Sequence, residues 1–361
     1  MCRRRLFSTL TAVVVALCFM RPAECEAKLR ILTTHTVLKS LAGEVGGEHV
    51  SVTSLATGKE DPHAITAKPS YMVDARKADL FIKLGMEMEI GYEQLVIDGS
   101  RNSKIRFQQP GYLDASLEAL RLEVPQTKVD RSMGDVHPLG NPHYWLDPYN
   151  GRRIAKSIAD KLEELDPAHA SDYQRRCADF EKRLDLAMFG EDLVNRVGGD
   201  RLWSLEAAGQ LEAFLQKEGL QDSAGGWYRQ MRPLRNTEMI TYHRSWTYFA
   251  NRFGLKIVGE LEPKPGIPPS PGHLRHIIAT AQSGDAEMIL MEPYYDRKAA
   301  DFVAQKTGLR VVEVANAVGG QPGVTDYFTL IGNVIHKLQE VKGREAAQAA
   351  QSARQGSGEN L

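Results

Sequence analysis

Three histidines stand at the tips of short, turn-forming motifs spread far apart in the chain. They are His63 in Glu60-Asp61-Pro62-His63, His143 in Asn141-Pro142-His143-Tyr144-Trp145-Leu146-Asp147-Pro148, and His243 in Thr241-Tyr242-His243-Arg244-Ser245-Trp246. Neutral imidazole is the commonest side-chain ligand of transition metals, and three imidazoles gathered from separate loops make a mononuclear site suited to zinc. A lone histidine beside a proline is more often a turn residue than a ligand, so it is the shared context of the three that points to a metal. Pro62 and Pro142 directly precede His63 and His143, and the fixed proline φ lowers the entropy lost in presenting each ring from a loop. Ile240, Thr241 and Tyr242 form a strand-like run, which puts His243 at a strand's carboxyl end, where open α/β sheets bind ligands.

The elements that must hold these tips can be read from the pattern around them. From Leu29 to Pro148 short β-branched runs alternate with helical ones, the signal of βαβ units and a mostly parallel sheet. Strands are expected at Leu29–Thr33, Val50–Val52 and Asp79–Ile82, with helices over 37–45 and from Pro69 to Ala78. Residues 28–150 are thus a first α/β lobe. Over 151–190 the pattern is helical, with Ile154, Ile158, Leu162 and Leu165 on one face, then a new helix after Asp166-Pro167 carrying Tyr173, Cys177, Phe180, Leu184 and Met188. That segment reads as a spine between lobes or as a helical hairpin within one. The glycine-rich stretch 191–236 reads as an irregular, partly helical insertion placed to cover a cleft. Strand and helix alternate again over 237–342, a second α/β lobe, and 343–361, polar and poor in bulky apolar residues, reads as a frayed tail.

Composition narrows the function classes. With 361 residues, 42% of them hydrophobic and 25% charged, the chain has the make-up of a soluble two-domain protein. A net charge of −1 with no long basic run excludes nucleic acid as a partner. Arg3-Arg4-Arg5, the apolar run Thr11–Leu17 and a small residue at Ala27 describe a secretory signal peptide over 1–27, too short to stay in a bilayer as a spanning helix. Cys18 and Cys25 raise a lipid-modified form, although Leu17 and Glu24 fit such a signal poorly. Cleavage after Ala27 removes three of the four cysteines and makes the mature chain mildly acidic. Cys177 then stands alone, without a partner for an intramolecular disulfide, and its helical surroundings suggest an inert buried thiol.

Taken in order, these motifs resemble those of the periplasmic metal-binding receptors of ABC transporters, the zinc and manganese class. The resemblance runs from about Leu29 to Leu338 and rests on Pro62-His63 with Lys68-Pro69-Ser70, Asn141 through Pro148, Tyr242-His243 before Trp246-Thr247-Tyr248-Phe249, and Pro269-Ser270-Pro271 ahead of a helix. It implies two lobes of mainly parallel sheet flanked by helices and joined by a long rigid linker helix. It also implies His63, His143 and His243 as ligands; histidine in the third place, where some members carry glutamate, is the zinc-type pattern, favouring Zn(II) over Mn(II) or Fe(II). The family's fourth ligand is an aspartate, and Asn316 of Val314-Ala315-Asn316-Ala317 stands in its place. Glu60, Asn316, His137 or a water are the candidates for that position, and Glu292 and Asp296 are candidate partners of the ligands.

The implied role is a monomeric periplasmic receptor that captures Zn(II) between its lobes and delivers it to an ABC permease. Two other classes use the same residues: an exported zinc hydrolase, and a metal-binding surface adhesin without a transporter. The hydrolase reading is the weaker, because the chain lacks His-Glu-x-x-His and only Glu60 lies close enough in sequence to a ligand to act as a base. A non-enzyme is therefore expected.

Overall fold

The computed structural model describes residues 27–129, 136–264 and 266–356, with side chains as far as Gly343. The expected signal peptide lies outside the described residues apart from Ala27. No helix among the described residues is long and apolar enough to cross a membrane.

Two four-stranded parallel sheets carry the fold. The first contains β1 (Leu29–Thr33), β2 (Val50–Ser54), β3 (Leu80–Lys83) and β4 (Tyr112–Asp114) in the order β2-β1-β3-β4. The second contains β5 (Glu238–Thr241), β6 (Lys256–Glu260), β7 (Ala286–Met291) and β8 (Arg310–Glu313) in the order β6-β5-β7-β8. The inner strands β3 and β7 carry unbroken apolar runs, as strands buried on both faces do: Leu80, Phe81 and Ile82, like Ile289, Leu290 and Met291, are fully buried. In each sheet the chain reverses its winding beside the first strand. The β5/β7 boundary, whose upper end carries His243, is such a switch point, where parallel sheets open a crevice.

Helices α1 (Thr36–Gly46), α2 (Pro69–Lys77) and α3 (Glu93–Ser100) flank the first sheet. The expected spine is a pair, α4 (Pro148–Leu165) and α5 (Ala170–Phe189), broken at Asp166-Pro167, where the proline cannot continue the helix. Ile154, Ile158 and Leu162 of α4 and Tyr173, Phe180, Leu184 and Met188 of α5 are buried, and both helices pack on α1. Cys177 lies in this core, and burial pushes its thiol up to about 12, the inert state expected.

Two expectations need correction. The stretch 191–236 does not cover the cleft: it folds as α6 (Glu191–Val197), α7 (Gly199–Ala207), α8 (Leu211–Glu218) and α9 (Gly226–Met231), of which α6, α7 and α9 pack on α5, α8 packs on α7, and α9 also packs on the closing helix. Its glycines are helix punctuation rather than loop: Gly190, Gly198 and Gly219, at φ of 82°, 86° and 66°, end α5, α6 and α8. Leu193, Leu202, Trp203, Leu211 and Leu215 consequently face the core. The tail is also shorter than expected. After α10 (Thr247–Phe253), α11 (Pro271–Ser283) and α12 (Lys298–Thr307), the closing helix α13 runs from Tyr327 to Gly356. The run Glu345-Ala346-Ala347-Gln348-Ala349-Ala350 explains this, since alanine favours helix without needing a core to pack on.

Candidate metal centre

Each of the three histidines is held by a side-chain hydrogen bond, supplied for His63 and His143 by its own turn and for His243 from the end of the neighbouring strand. Asp61 caps the short helical turn Pro62–Ala64, and its Oδ1 accepts the His63 backbone N–H at 2.9 Å. The same carboxylate receives the Tyr295 hydroxyl from the second lobe at 3.4 Å. Asn141 serves His143 twice, its Oδ1 accepting from the backbone N at 3.0 Å and lying 2.9 Å from ring Nδ1. The amide cannot be reversed, because Asn141 Nδ2 faces the Arg244 carbonyl at 2.8 Å and Glu123 Oε2 at 2.9 Å, both acceptors. His143 therefore carries its proton on Nδ1 and turns the Nε2 lone pair inward. His243 repeats the arrangement, with Nδ1 2.6 Å from Glu262 Oε2.

The three rings meet with centroids 5.1 to 5.2 Å apart, and one ligating nitrogen of each lies within 4.8 Å of the others. His63 Nε2 and His143 Nε2 are 3.2 Å apart. Two nitrogens about 2.0–2.1 Å from one tetrahedral zinc stand about 3.3 Å from each other, so the His63–His143 pair already stands at ligating separation, with the third nitrogen close by. Burial, reinforced by the imidazoles of His63, His243, His137 and His35, holds His143 well below the usual histidine range, in the neutral form that can ligate. The cavity they line holds about 40 Å³ and is also lined by Glu123, Val136, His137, Asn141 and Arg244.

The candidates for a fourth ligand fare differently. Glu60 is turned away into its own loop: Oε1 accepts from Thr57 N at 2.8 Å, and Oε2 accepts from Thr57 Oγ1 and from Lys59 N, the latter at 3.1 Å. Burial would raise this carboxyl, but those bonds outweigh it and hold the group below its ordinary range. His137 is buried, lines the same cavity and has its ring 5.3 Å from that of His63. Asn316 sits against the His143 turn, its carbonyl accepting Trp145 Nε1 at 2.8 Å. Its Nδ2 donates to Tyr294 Oη at 2.8 Å, and its buried Oδ1 has no hydrogen-bond partner among the described residues. Asp296 is not a partner of the site: it is exposed and bonded to Lys298. Glu292 is fully buried with both carboxyl oxygens unpartnered, and burial, with Asp61 and Glu262 nearby, raises it to about 8.

Asn141, Glu262, Tyr294 and Tyr295 also belong to the site and carry no ligand signature of their own in the sequence. The Asn141 motif was visible, and asparagine two residues before a histidine is a recognisable turn-former. Glu262 could be found only from strand pairing: β5 and β6 are parallel with Thr241 opposite Glu260, and two residues further along each strand lie His243 and Glu262.

Known proteins share this plan. The family pattern described as ZnuA, zinc-uptake complex component A, periplasmic, matches residues 31–187 and 213–341, leaving 188–212 outside the match. An iron-binding protein, YfeA of Yersinia pestis, is 23% identical over 348 residues, 94% of each chain. The high-affinity zinc uptake system protein ZnuA of Brucella abortus is 26% identical over 200 residues, 55% of this chain and 49% of that one. A manganese ABC transporter substrate-binding lipoprotein, PsaA of Streptococcus anginosus, is 22% identical over 60% of this chain and 67% of its own. Among solved structures, a crystal structure of ZnuA superposes with a TM-score of 0.63 at 21% identity, covering 86% of this chain and 98% of that one.

Proposed function

The chain belongs to the family of the periplasmic zinc-uptake complex component A, a family of metal-binding ABC-transporter solute receptors, and from that premise we propose that it captures Zn(II) through His63, His143 and His243 and hands it to an ABC permease. The observation that carries the reading is the convergence of three inward-facing imidazole nitrogens on one small cavity. The relatives are named for zinc, iron and manganese, so the choice among metals rests on the donor set. Three neutral nitrogens suit borderline-soft zinc, whereas manganese favours carboxylate oxygen. Export through residues 1–27, a periplasmic site of action and a monomeric receptor complete the proposal.

Catalysis is disfavoured by volume. A cavity of about 40 Å³ admits an ion and a water or so, whereas organic substrates occupy pockets of about 300–1,000 Å³. The deciding experiment is metal analysis of the mature protein purified without added metal, followed by competition between zinc and manganese. One equivalent of zinc, retained against manganese, is expected. Preferential retention of manganese or iron overturns the choice of metal, and the absence of any retained or titratable metal overturns the receptor.

The fourth position gives a second test. Asn316→Asp returns a charged oxygen beside the His143 turn and is expected to tighten Zn(II) binding about tenfold, the scale of a change in a ligand's surroundings. Glu60→Ala should change affinity by less than about twofold, because that carboxylate is engaged with Thr57 and Lys59. Isothermal titration of both variants checks the pair. An unchanged Asn316→Asp places Asn316 out of reach of the ion, and a large loss in Glu60→Ala means that Glu60 swings in.

A further inference from the structure

The stretch that lies outside the family pattern, 188–212, is not a bystander. Its helix α7 is seated by Trp203, a fully buried side chain that stacks on Tyr149 at 5.2 Å, meets Phe189 at 4.8 Å, and donates from Nε1 to Asp185 Oδ1 at 2.6 Å. One turn further on, Glu206 reaches the buried Arg252 of α10 and accepts from its Nη1. Arg252 is already committed on its other side. Nε and Nη2 donate to the two carboxylate oxygens of Asp147, each at 2.7 Å.

The location of that clamp matters. Asp147 caps α4 four residues after His143, and Arg252 lies in the helix that begins just after the His243 turn. Further bonds join the same two segments: Tyr248 Oη donates to the Asn141 carbonyl at 2.8 Å, and Asn141 Nδ2 donates to the Arg244 carbonyl at 2.8 Å. His143 and His243 are therefore carried on one cross-linked body. A buried guanidinium with an unsatisfied N–H group is costly, and Glu206 is the side chain that satisfies Nη1.

We propose that α7 is an affinity-setting brace: Glu206 holds Arg252 onto Asp147 and so fixes the spacing of His143 and His243. This rests on the metal-capture reading above. Metal ligands must be held within about 0.5 Å of their productive geometry by the shell behind them, so a brace two bonds removed from the ligands acts on affinity through position rather than contact. Glu206 is a positioning residue, and it ties the metal site to a segment the family pattern does not include.

The test pairs Glu206→Gln, which keeps the shape and removes the charge, with Glu212→Gln. Glu212 bonds Tyr228, Arg232 and Arg235, so its loss perturbs neighbouring helices without touching Arg252. Zn(II) affinity by competition and the visible spectrum of the Co(II)-loaded protein, which reports ligand geometry, are measured in each. Glu206→Gln is expected to bind about tenfold more weakly with shifted Co(II) bands, and Glu212→Gln to match the wild type in both. Unaltered affinity and spectrum in Glu206→Gln, or equal losses in the two variants, overturn the brace. If Glu206→Gln does not fold, Glu206→Asp replaces it: a partial loss of affinity supports the brace and wild-type affinity overturns it. A wild-type protein that takes up neither metal sinks the capture reading, and the brace with it, whereas normal wild-type binding with an indifferent Glu206 sinks the brace alone.

Discussion

His143→Ala is expected to raise the Zn(II) dissociation constant by at least about 100-fold, and His63→Ala and His243→Ala by comparable factors. Changes in groups that only orient a ligand already lower affinity by about 10–100-fold, and here a ligand itself is lost from a set of three. His143 should be the most damaging of the three positions, since its removal also leaves Asn141 Oδ1, which it occupies through two nitrogens, without its ring partner. Competition titration against a chelator of known affinity measures all three. Any variant that binds as the wild type is struck from the ligand set. Acid should weaken binding in every case, because protons compete for the lone pairs that ligate. For His143 that competition begins at lower pH than for an ordinary histidine, since burial and the neighbouring imidazoles already disfavour its charged form.

What could be read from sequence divides along the reach of the signal. The alternation of strands and helices is local, and so β1, α1, α2 and β5 fall close to where periodicity puts them. The three histidine tips were legible for the same reason, each marked by a proline or a strand end. Glu60 shows the limit of such reasoning. It is three residues from His63, yet its carboxylate is turned onto Thr57, because the direction of a side chain in a turn depends on the turn's own hydrogen bonds. Glu262, nineteen residues from His243, is its actual partner. Strand register brings them together, and register is a property of two segments at once. The stretch 191–236 was misread because its glycines suggest loop by composition, whereas their positive φ values end helices whose buried faces are evident only once α5 is in place beside them.

Glu292→Gln is expected to stabilise the metal-free protein and to weaken its hold on metal. The carboxyl stands at the end of β7, between the strand that leads to His243 and the strand that leads to Asn316, fully buried and without a hydrogen-bond partner among the described residues. Burial, helped by Asp61 and Glu262, raises it from an ordinary value of 4.5 to about 8. Below pH 4.5 the group is protonated in folded and unfolded chains alike and has no effect on the balance. As pH rises through that value the unfolded chain sheds the proton while the folded chain keeps it, so stability falls by about 1.4 kcal/mol per pH unit until pH 8 is passed. The loss at pH 7 is on the order of 3 kcal/mol, and glutamine, which never ionises, removes it. Urea unfolding of the chelator-treated proteins should therefore show equal stability at pH 4 and a widening advantage for Glu292→Gln up to pH 8. A constant offset across that range means that Glu292 does not hold a buried proton. Zinc binding should move the other way. Asp61 orders the His63 turn and Glu262 bonds His243, and a dication placed among those rings gains from every carboxylate near it, including one that ionises when the ion arrives. About tenfold weaker binding at pH 7 is expected in Glu292→Gln, and wild-type affinity there would put the carboxyl beyond the field of the ion. A residue that costs stability without metal and strengthens the grip on it is a familiar trade at functional sites, and it gives a physical reason for an unpaired acid in the core of the second lobe.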